Sequence, residues 1–434
     1  MRGVMKRMLT AAGVSVGMLL MAFTPASAAV FNLTADAGEI SMPDGAQIYM
    51  WSFRDSAGGF RYPGPVLDVL VGDTVTVNLT NALPDMDGPS GPMSADAVSL
   101  LFPGHENVEF SSDGGVTWAP TGPAYTTGGS KESLRSLAGE AAPGQTVSYR
   151  FVAAKPGTYT YYSGTYPHKH VDMGLVGAII VRTGLPNQAY FTTGSNYDYE
   201  VVQFYSAVDP DQHKRIKAGL PYQNSAYLPQ YWFVNGRAFP DTIAPDTVSY
   251  LPNQPMGALL ALYPKERLLV RMVTFDRDMH PLHSHGNHLM VLARNGRPLS
   301  SDGVNGDLAI EEYTQTMHPG DTQDGIFTWD PPMNFGFDVY GGDVTQPVPV
   351  IVPPEHNSVN INVGFGQLFS GTAYLGHKVD LGADAPINLN AMGEMYVPFH
   401  SHFEIELQNE GVGPGGMLAV IMICVPGKPC PGHP

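Results

Sequence analysis

The sequence predicts an all-β protein made of two related β-sandwich domains, and three observations lead to this fold. Helical periodicity is hard to find after residue 30, whereas short β-branched or alternating apolar runs are common. The 49 glycines and 38 prolines separate many of these runs with turns. Three landmarks also recur in the same order in the two halves of the chain, which indicates duplication of one sandwich.

The three landmarks are a strand, a turn that precedes a strand, and a glycine-rich turn that enters an apolar strand. They pair 73–79 (DTVTVNL) with 266–272 (ERLLVRM), 143–146 (PGQT) with 319–322 (PGDT), and 174–181 with 415–423. Strands at this spacing are typical of a sandwich or a barrel. Chance recurrence of a turn before a strand is the alternative, and the shared order favours duplication.

Composition excludes several classes of protein. The formal net charge of −17 lacks the basic footprint of a general nucleic-acid binder, so no nucleic-acid partner is expected. The 2 cysteines cannot build a disulfide scaffold or a four-thiolate metal site. Hydrophobic residues at 43% are enough for a core, so wholesale disorder is not expected.

The N-terminal segment 1–28 predicts a signal peptide. Arg2, Lys6 and Arg7 precede an apolar run, and Ala26-Ser27-Ala28 supplies the small residues that a signal peptidase requires. A retained membrane anchor is the alternative, but the run is short for a span. We therefore expect a periplasmic or secreted protein that has no membrane contact after cleavage.

The remaining chain divides by pattern into two domains and their connections. The predicted units are domain 1 at 30–183, a linker at 184–228, domain 2 at 229–423 with a Pro/Gly/Asn-rich insertion at 329–395, and a tail at 424–434. The tail holds Cys424 and Cys430, which predict a small disulfide loop in an oxidising compartment. A two-cysteine copper site is the alternative.

Histidines cluster in three motifs, and these carry the candidate chemistry. The motifs are HPLHSHGNH at 280–288, His400-Ser-His402 and His168-Lys-His170. Two histidines two residues apart on an extended chain share one face, about 7 Å apart, so they can reach one metal ion or two neighbouring ions. Imidazole is a suitable ligand for copper and zinc.

The second of these pairs opens an alternating run over 400–407. Read as a strand, the run places His400, His402, Glu404 and Glu406 on one face. The two glutamates are then either the polar side of a half-exposed strand or acceptors for an imidazole N–H beside a metal.

These motifs resemble those of the multicopper oxidases in their two-domain arrangement and, more distantly, those of the copper nitrite reductases. The segment 280–286 (HPLHSHG) is similar to the family's HPxHxHG motif, and 400–402 followed by Gly415-Gly-Met417 resembles its closing motif. The segments 64–73 and 233–240 resemble openings of its domains. The resemblance implies two cupredoxin-like Greek-key β-sandwiches, a long insertion in the second, and copper as the cofactor.

The resemblance also implies roles for individual residues. His280 corresponds to a histidine of the type 1 (blue) copper and Met417 to its axial ligand. His283 corresponds to a type 2 ligand, and three residues correspond to type 3 ligands: His285, His400 and His402. His168 and His170 lie just beyond the domain-1 motif positions and are kept as metal candidates. Tyr162 is a candidate redox-active or hydrogen-bonding neighbour.

The departures from the family pattern bear directly on mechanism. Ser401 stands at the position of the blue-copper cysteine, and Glu406 stands near that of its second histidine. Compared with nitrite reductases, Ser163 replaces the cysteine of domain 1, His170 fits a later histidine, and Leu175 sits at the methionine position. A serine hydroxyl cannot make the copper–thiolate bond of a blue site. Any activity is therefore expected to use a non-blue site.

Three hypotheses follow for function. The first is an exported copper protein with a non-blue histidine site and an oxidase activity on a small-molecule or metal-ion substrate. The second is a non-catalytic copper binder or buffer. The third is a structural protein on a degenerate cupredoxin scaffold, although such a scaffold gains little from polar imidazoles in its core. A zinc hydrolase is a further alternative, and a homo-oligomer is left open.

Overall fold

The structure is a computed structural model that describes residues 27–89, 91–93, 95–126, 133–329, 374–375, 395–424, 427–430 and 432–433. The predicted signal peptide therefore lies outside the described residues except for Ser27 and Ala28. The predicted insertion at 329–395 lies outside them except for its two end residues and 374–375.

The first half of the chain forms fifteen described strands and one helix, α1 (Pro167–Met173). The strands are β1 (Ala28–Ser41), β2 (Gln47–Asp55), β3 (Val66–Leu70), β4 (Thr74–Asn81), β5 (Met86–Gly88), β6 (Gly91–Met93), β7 (Val98–Ser99), β8 (Glu109–Ser111), β9 (Ala119–Pro120), β10 (Ala124–Tyr125), β11 (Leu134–Ser136), β12 (Glu140–Ala141), β13 (Thr146–Val152), β14 (Gly157–Tyr162) and β15 (Val176–Arg182).

The second half adds thirteen described strands and one helix, α2 (Pro210–Lys217). The strands are β16 (Tyr199–Val208), β17 (Tyr231–Val234), β18 (Leu260–Leu262), β19 (Arg267–Thr274), β20 (His280–Ser284), β21 (Leu289–Arg294), β22 (Arg297–Pro298), β23 (Ile310–Glu312), β24 (Thr314–Met317), β25 (Thr322–Thr328), β26 (Tyr374–Leu375), β27 (Met395–Ser401) and β28 (Leu418–Ile423). Short 3-10 helices lie at Asn224–Ala226, Asp241–Ile243 and Glu404–Glu406.

Each half is a two-sheet sandwich. In the first half, the sheets have the orders β2-β1-β4-β13-β8-β9 and β14-β15-β3. In the second half, they have the orders β17-β16-β19-β25-β21-β22 and β18-β28-β27-β20-β24. The strands alternate buried and partly exposed residues where one face is covered, as β4 does over its whole length. The predicted all-β, two-sandwich fold is confirmed.

The two sandwiches repeat one pattern of strand pairing. In the first, β1 runs parallel to β4, which is antiparallel to β13, and β3 runs parallel to β15, which is antiparallel to β14. In the second, β16–β19–β25 and β18–β28–β27 repeat these relations strand for strand. The three sequence landmarks fall on matching strands: β4 and β19, β13 and β25, and β15 and β28.

Three buried clusters hold the sandwiches together. Phe53, Val77 and Tyr149 belong to the core of the first, and Leu268 and Phe327 belong to that of the second. A third cluster joins the sandwiches through residues of both, which are Met50, Tyr62, Val176, Phe204 and Phe233. Burying each such side chain contributes roughly 1.5–3 kcal/mol, so this shared cluster fixes the two halves against each other.

Two sequence expectations need correction. The linker predicted at 184–228 contains β16, which pairs with β17 and β19 inside a sheet of the second sandwich. Its sequence, YEVVQFYSAV, is apolar and β-branched enough to serve as a buried strand. The strand expected over 400–407 ends at Ser401, and a 3-10 helix follows at Glu404–Glu406. Among the described helices, none has the length and apolarity that a membrane span requires.

Candidate metal centre

Three neighbouring strands of the second sandwich bring the histidine motifs of domain 2 together. β20 lies between β24 and β27, and His283 lies directly opposite His400 on one side and Thr314 on the other. Alternation along β20 buries His280, Leu282 and Ser284, whereas His283 is only half-buried. The side chain of His283 therefore stands on the outer face of the sheet with that of His400.

Four imidazoles form a compact cluster on this face. The ring centroid of His283 lies 4.8 Å from those of both His285 and His402 and 5.8 Å from that of His400. The centroid of His400 lies 5.1 Å from that of His285 and 5.7 Å from that of His402. The Nε2 atoms of His285 and His400 face each other at 3.0 Å. We call these four residues the histidine cluster.

The environment favours the neutral form of His283, His285 and His400. Burial first, and then the neighbouring imidazoles of the histidine cluster, lower the pKa of His283 to about 4 and that of His285 to about 3. Burial also lowers the pKa of His400. A neutral imidazole keeps a lone pair on one ring nitrogen, which is the form that binds metals.

Hydrogen bonds orient most of the rings. His400 Nδ1 lies 2.6 Å from the Ser401 carbonyl oxygen, which can only accept, so Nδ1 carries the proton and Nε2 carries the lone pair. His283 Nδ1 lies 2.6 Å from Thr314 Oγ1, and His402 Nδ1 lies 3.3 Å from Glu404 Oε1. His285 Nδ1 is buried and has no hydrogen-bond partner among the described residues.

The chemistry of the histidine cluster fits a histidine-bound metal ion. Metal–imidazole bonds of about 2.0 Å place two ligands at right angles roughly 3 Å apart, which is the separation of the facing nitrogens. No three His, Cys, Asp or Glu side chains within the described residues are arranged to hold one ion together. The geometry therefore offers a facing pair, His285 and His400, with His283 and His402 beside it.

His280 does not belong to the histidine cluster. Its side chain is fully buried, with Nε2 2.7 Å from Asp276 Oδ2 and Nδ1 3.0 Å from both carboxylate oxygens of Glu406. Burial lowers the pKa of His280, but the two carboxylates outweigh it and raise the pKa to about 10. Both ring nitrogens therefore face carboxylates rather than the histidine cluster, so the structure does not bring His280 together with the other predicted ligands.

The corner around His280 does not fit a blue copper ion. Ser401 and Met417 are fully buried there, but a blue copper ion requires a thiolate, and the corner offers the hydroxyl of Ser401 and the carboxylate of Glu406 beside His280. Glu406 binds His280, whereas the exposed Glu404 lies beside His402. Of the two glutamates predicted beside the metal, only Glu404 contacts the histidine cluster.

The candidates from domain 1 lie elsewhere. His168 and His170 sit on α1, where residues two apart point about 200° away from each other, so the pair cannot converge as it would on a strand. His168 is exposed against Tyr166 and Tyr222, and His170 is buried against Ser163 and Asp96. Tyr162 is half-buried in the cluster that joins the two sandwiches.

Several residues of this region were missed by sequence reasoning. Thr314 and Asp276 contact His283 and His280, but they lie outside any histidine motif. Tyr313 stacks on His288 with ring centroids 3.7 Å apart and lies 6.1 Å from the His283 ring. Only the alternation of 314–317 (TQTM) gave a signal, since it predicts a strand whose polar face carries Thr314.

The tail joins Cys424 to Cys430 in a disulfide, with Cα atoms 5.6 Å apart.

Known structures share this architecture. The chain is similar to a structure described as multicopper oxidase mgLAC, with a TM-score of 0.54 and 18% identity over 93% of this chain and 88% of that one. It is also similar to a blue copper oxidase from Nitrosomonas europaea, with a TM-score of 0.54 and 17% identity over 91% and 85% of the two chains. Comparison with protein-family models and with curated proteins gives no match. These likenesses show that the chain has the multicopper oxidase fold of cupredoxin sandwiches.

Proposed function

We propose that the chain is an exported copper-binding protein whose metal centre is the histidine cluster: His283, His285, His400 and His402. The observation that carries this proposal is the pair of imidazole nitrogens 3.0 Å apart on His285 and His400, flanked by two further imidazoles. Neutral nitrogen donors suit copper, and proteins with this fold include multicopper oxidases.

The residues of the chain would present the donors, and the metal would supply the redox chemistry. The Ser401 carbonyl fixes the tautomer of His400, and Thr314 holds Nδ1 of His283. Such contacts orient a ligand ring before a metal binds. A bound copper ion supplies one-electron chemistry and open positions for a small molecule.

Two functions fit this centre. The first is oxidation of a small-molecule or metal-ion substrate at a non-blue site. The second is copper binding without turnover, which is favoured by the corner that holds Asp276, His280 and Glu406. By its resemblance to the multicopper oxidases, the sequence would place the copper that admits electrons in this corner.

Copper loading tests the metal centre. The mature protein is loaded with Cu(II), dialysed, and measured by metal analysis and by EPR. We expect retained copper with an EPR signal but without an intense blue band. The His285→Ala/His400→Ala variant should lose this copper, whereas His318→Ala should keep it because His318 is an exposed residue bound to Asp321. Loss of all copper from the wild-type protein on dialysis would overturn the proposal.

Oxygen uptake separates the two functions. Copper-loaded protein is supplied with phenols, Cu(I), Fe(II) or Mn(II), and oxygen consumption is followed. Turnover that disappears in the His285→Ala/His400→Ala variant supports the oxidase. Stable copper binding with no uptake on any of these substrates supports the binder.

Two observations support export. The segment 1–28 has the composition of a signal peptide, and the Cys424–Cys430 disulfide suits an oxidising compartment such as the periplasm or the medium. The chain would then meet copper outside the cytoplasm.

A further inference from the structure

The corner that holds Ser401, Glu406 and Met417 has a counterpart in the first sandwich. After β14, the Ser163 N–H donates to the Leu175 carbonyl at 3.1 Å, and after β27 the Ser401 N–H donates to the Met417 carbonyl at 3.1 Å. The Leu175 N–H then donates to the His170 carbonyl at 2.9 Å, and the Met417 N–H donates to the Glu406 carbonyl at 2.8 Å. These bonds pair three positions of the two corners, which are Ser163 with Ser401, His170 with Glu406, and Leu175 with Met417.

The serine side chains play the same local part in both corners. Ser163 Oγ accepts from the Thr165 N–H at 3.3 Å, and Ser401 Oγ accepts from the Phe403 N–H at 3.2 Å. Both serines are fully buried. A hydroxyl that accepts from the backbone two residues ahead stabilises a turn, so each serine shapes the start of its loop.

Each corner also holds a buried imidazole that meets a carboxylate across the same gap. In the first corner, His170 on α1 has Nε2 3.1 Å from Asp96 Oδ2 and Nδ1 2.8 Å from Ser163 Oγ. In the second corner the roles are reversed, because the carboxylate of Glu406 lies on the segment after the serine and the imidazole of His280 lies on β20. The pairing of β14 and β27 with their neighbours matches as well, since Leu101 lies opposite Tyr162 and His283 opposite His400.

We propose that each corner is an imidazole–carboxylate clasp that ties the segment after a buried serine to another part of the same sandwich, and that the second clasp positions the ligands His400 and His402. The route is short. Glu406 is tied to His280 at the start of β20, three residues before His283, and the His402 N–H donates to the Pro281 carbonyl at 2.7 Å. Residues 400–406 therefore lie against β20 at both ends.

The positioning part of this inference rests on the proposed copper centre, whereas the clasp itself does not. Within the described residues, the Glu406 carboxylate is bound to His280 rather than to one of the four ligands, so it acts on them through the backbone. The first clasp serves as an internal control, because it has the same construction but lies in the other sandwich.

The experiment compares Glu406→Ala with Asp96→Ala in the full chain, since each variant removes the carboxylate of one clasp. Thermal unfolding, the Cu(II) dissociation constant and the Cu(II) EPR spectrum are measured for both. We expect both variants to unfold at a lower temperature. Only Glu406→Ala should weaken Cu(II) binding, by roughly 10–100-fold, and change the EPR hyperfine pattern. Glu406→Gln keeps the length of the side chain and should restore part of the affinity.

The outcomes separate the two parts of the inference. Unchanged copper affinity and EPR spectrum in Glu406→Ala, or an equal loss in Asp96→Ala, would overturn the positioning role. Unchanged unfolding temperatures in both variants would overturn the clasps. If the wild-type protein binds no Cu(II), the copper centre fails, and the unfolding measurements still decide the clasps. If either alanine variant does not fold, Glu406→Gln and Asp96→Asn replace the pair.

Discussion

At the scale of single residues, the rings of the histidine cluster are oriented by hydrogen bonds to groups outside the cluster. The Ser401 carbonyl leaves the lone pair of His400 on Nε2, the atom that faces His285. Thr314 Oγ1 lies 2.6 Å from Nδ1 of His283 and orients that ring. Partners of this kind usually cost a metal site 10–100-fold in affinity when they are removed, so they are the residues to test after the ligands.

Thr314→Val keeps the shape of the side chain but removes the hydroxyl that contacts His283. We expect the Cu(II) dissociation constant to rise about 10-fold, because the ring loses the contact that orients it. Thr316→Val is the matched control, since Thr316 lies two residues further along β24 and faces Pro281. Competition with a Cu(II) chelator measures both variants, and an equal effect of the two substitutions would contradict the prediction.

His280 should make the stability of the protein depend on alkaline pH. Its pKa is about 10 in the folded protein, whereas an unfolded histidine titrates near about 6.5. Between these two pKa values the folded state therefore holds a proton on His280 that the unfolded state has lost. The stabilisation from His280 is complete below the lower pKa and is lost as the pH rises towards the upper pKa. Urea unfolding at about pH 6, 8 and 10 should show a falling free energy of unfolding over this window.

The control for this pH dependence is His280→Gln, which removes the titrating group. The variant should be less stable at every pH, because Asp276 and Glu406 stay buried without their cation. Its free energy of unfolding should not fall between the two pKa values. A slope equal to that of the wild-type protein would assign the alkaline loss of stability to other groups.

At the scale of elements, the sequence predicts strands well where a local pattern decides them. The runs that became β4, β13, β19 and β28 are alternating or β-branched, and their burial follows that pattern. The motif 280–288 likewise placed His283 and His285 on one face. The outer-face positions of His283 and His400 follow from strand alternation, but their pairing across more than a hundred residues comes from the register of β20 and β27.

Local patterns failed where a turn or a helix competed with the strand. His168 and His170 follow Pro167, which opens α1, and helical geometry separates the two side chains. The alternation of 400–407 was interpreted as one strand, but the bond from Ser401 to Met417 turns the chain away and buries Glu406 against His280. His280, the partner of Glu406, lies on β20, so no short window of sequence contains both residues.

A buried ion-pair network joins elements of both sandwiches. Asp324 on β25 is fully buried, accepts from Thr158 Oγ1 of β14 at 2.7 Å, and lies 3.1 Å from Arg271 Nη1 of β19. Arg271 also donates to Glu200 Oε2 at 2.8 Å. Removing one partner of a buried ion pair leaves an uncompensated charge and is strongly destabilising. These contacts therefore hold β14 against the second sandwich.

Asp324→Ala should lower the free energy of unfolding by about 3–5 kcal/mol, because Glu200 is then the only acidic partner of the buried Arg271 guanidinium among the described residues. Asp68→Ala is the comparison, since Asp68 pairs with Arg182 at an exposed position. An exposed pair contributes about 0–1 kcal/mol. Denaturant unfolding measures both variants, and similar losses in the two would show that the network is not a structural tie.

At the scale of the whole molecule, the same pairing pattern builds two sandwiches that the histidines use unequally. Both sandwiches have a corner built on a buried serine, Ser163 in the first and Ser401 in the second, but only the second sandwich carries the histidine cluster. Its counterpart in the first sandwich pairs Leu101 with Tyr162, so the outer face there offers no imidazole at those positions. The proposed copper centre therefore belongs to one of the two sandwiches, whereas both contribute to the shared core.

The predicted signal-peptide cleavage site lies at the start of β1. Cleavage after Ala28 removes the Ser27 N–H that donates to Asp73 Oδ1 at 3.0 Å, together with the first pair of the register between β1 and β4. The pairs from Ala29 with Val75 to Ala35 with Asn81 remain, so the strand should keep its place.

The exported protein should begin at Ala29 and carry no free thiol until reduced, because Cys424 and Cys430 are joined. Intact mass before and after alkylation, with and without reductant, measures both features. A product that retains 1–28, or one that is alkylated without reduction, would place the chain outside the compartment that we propose.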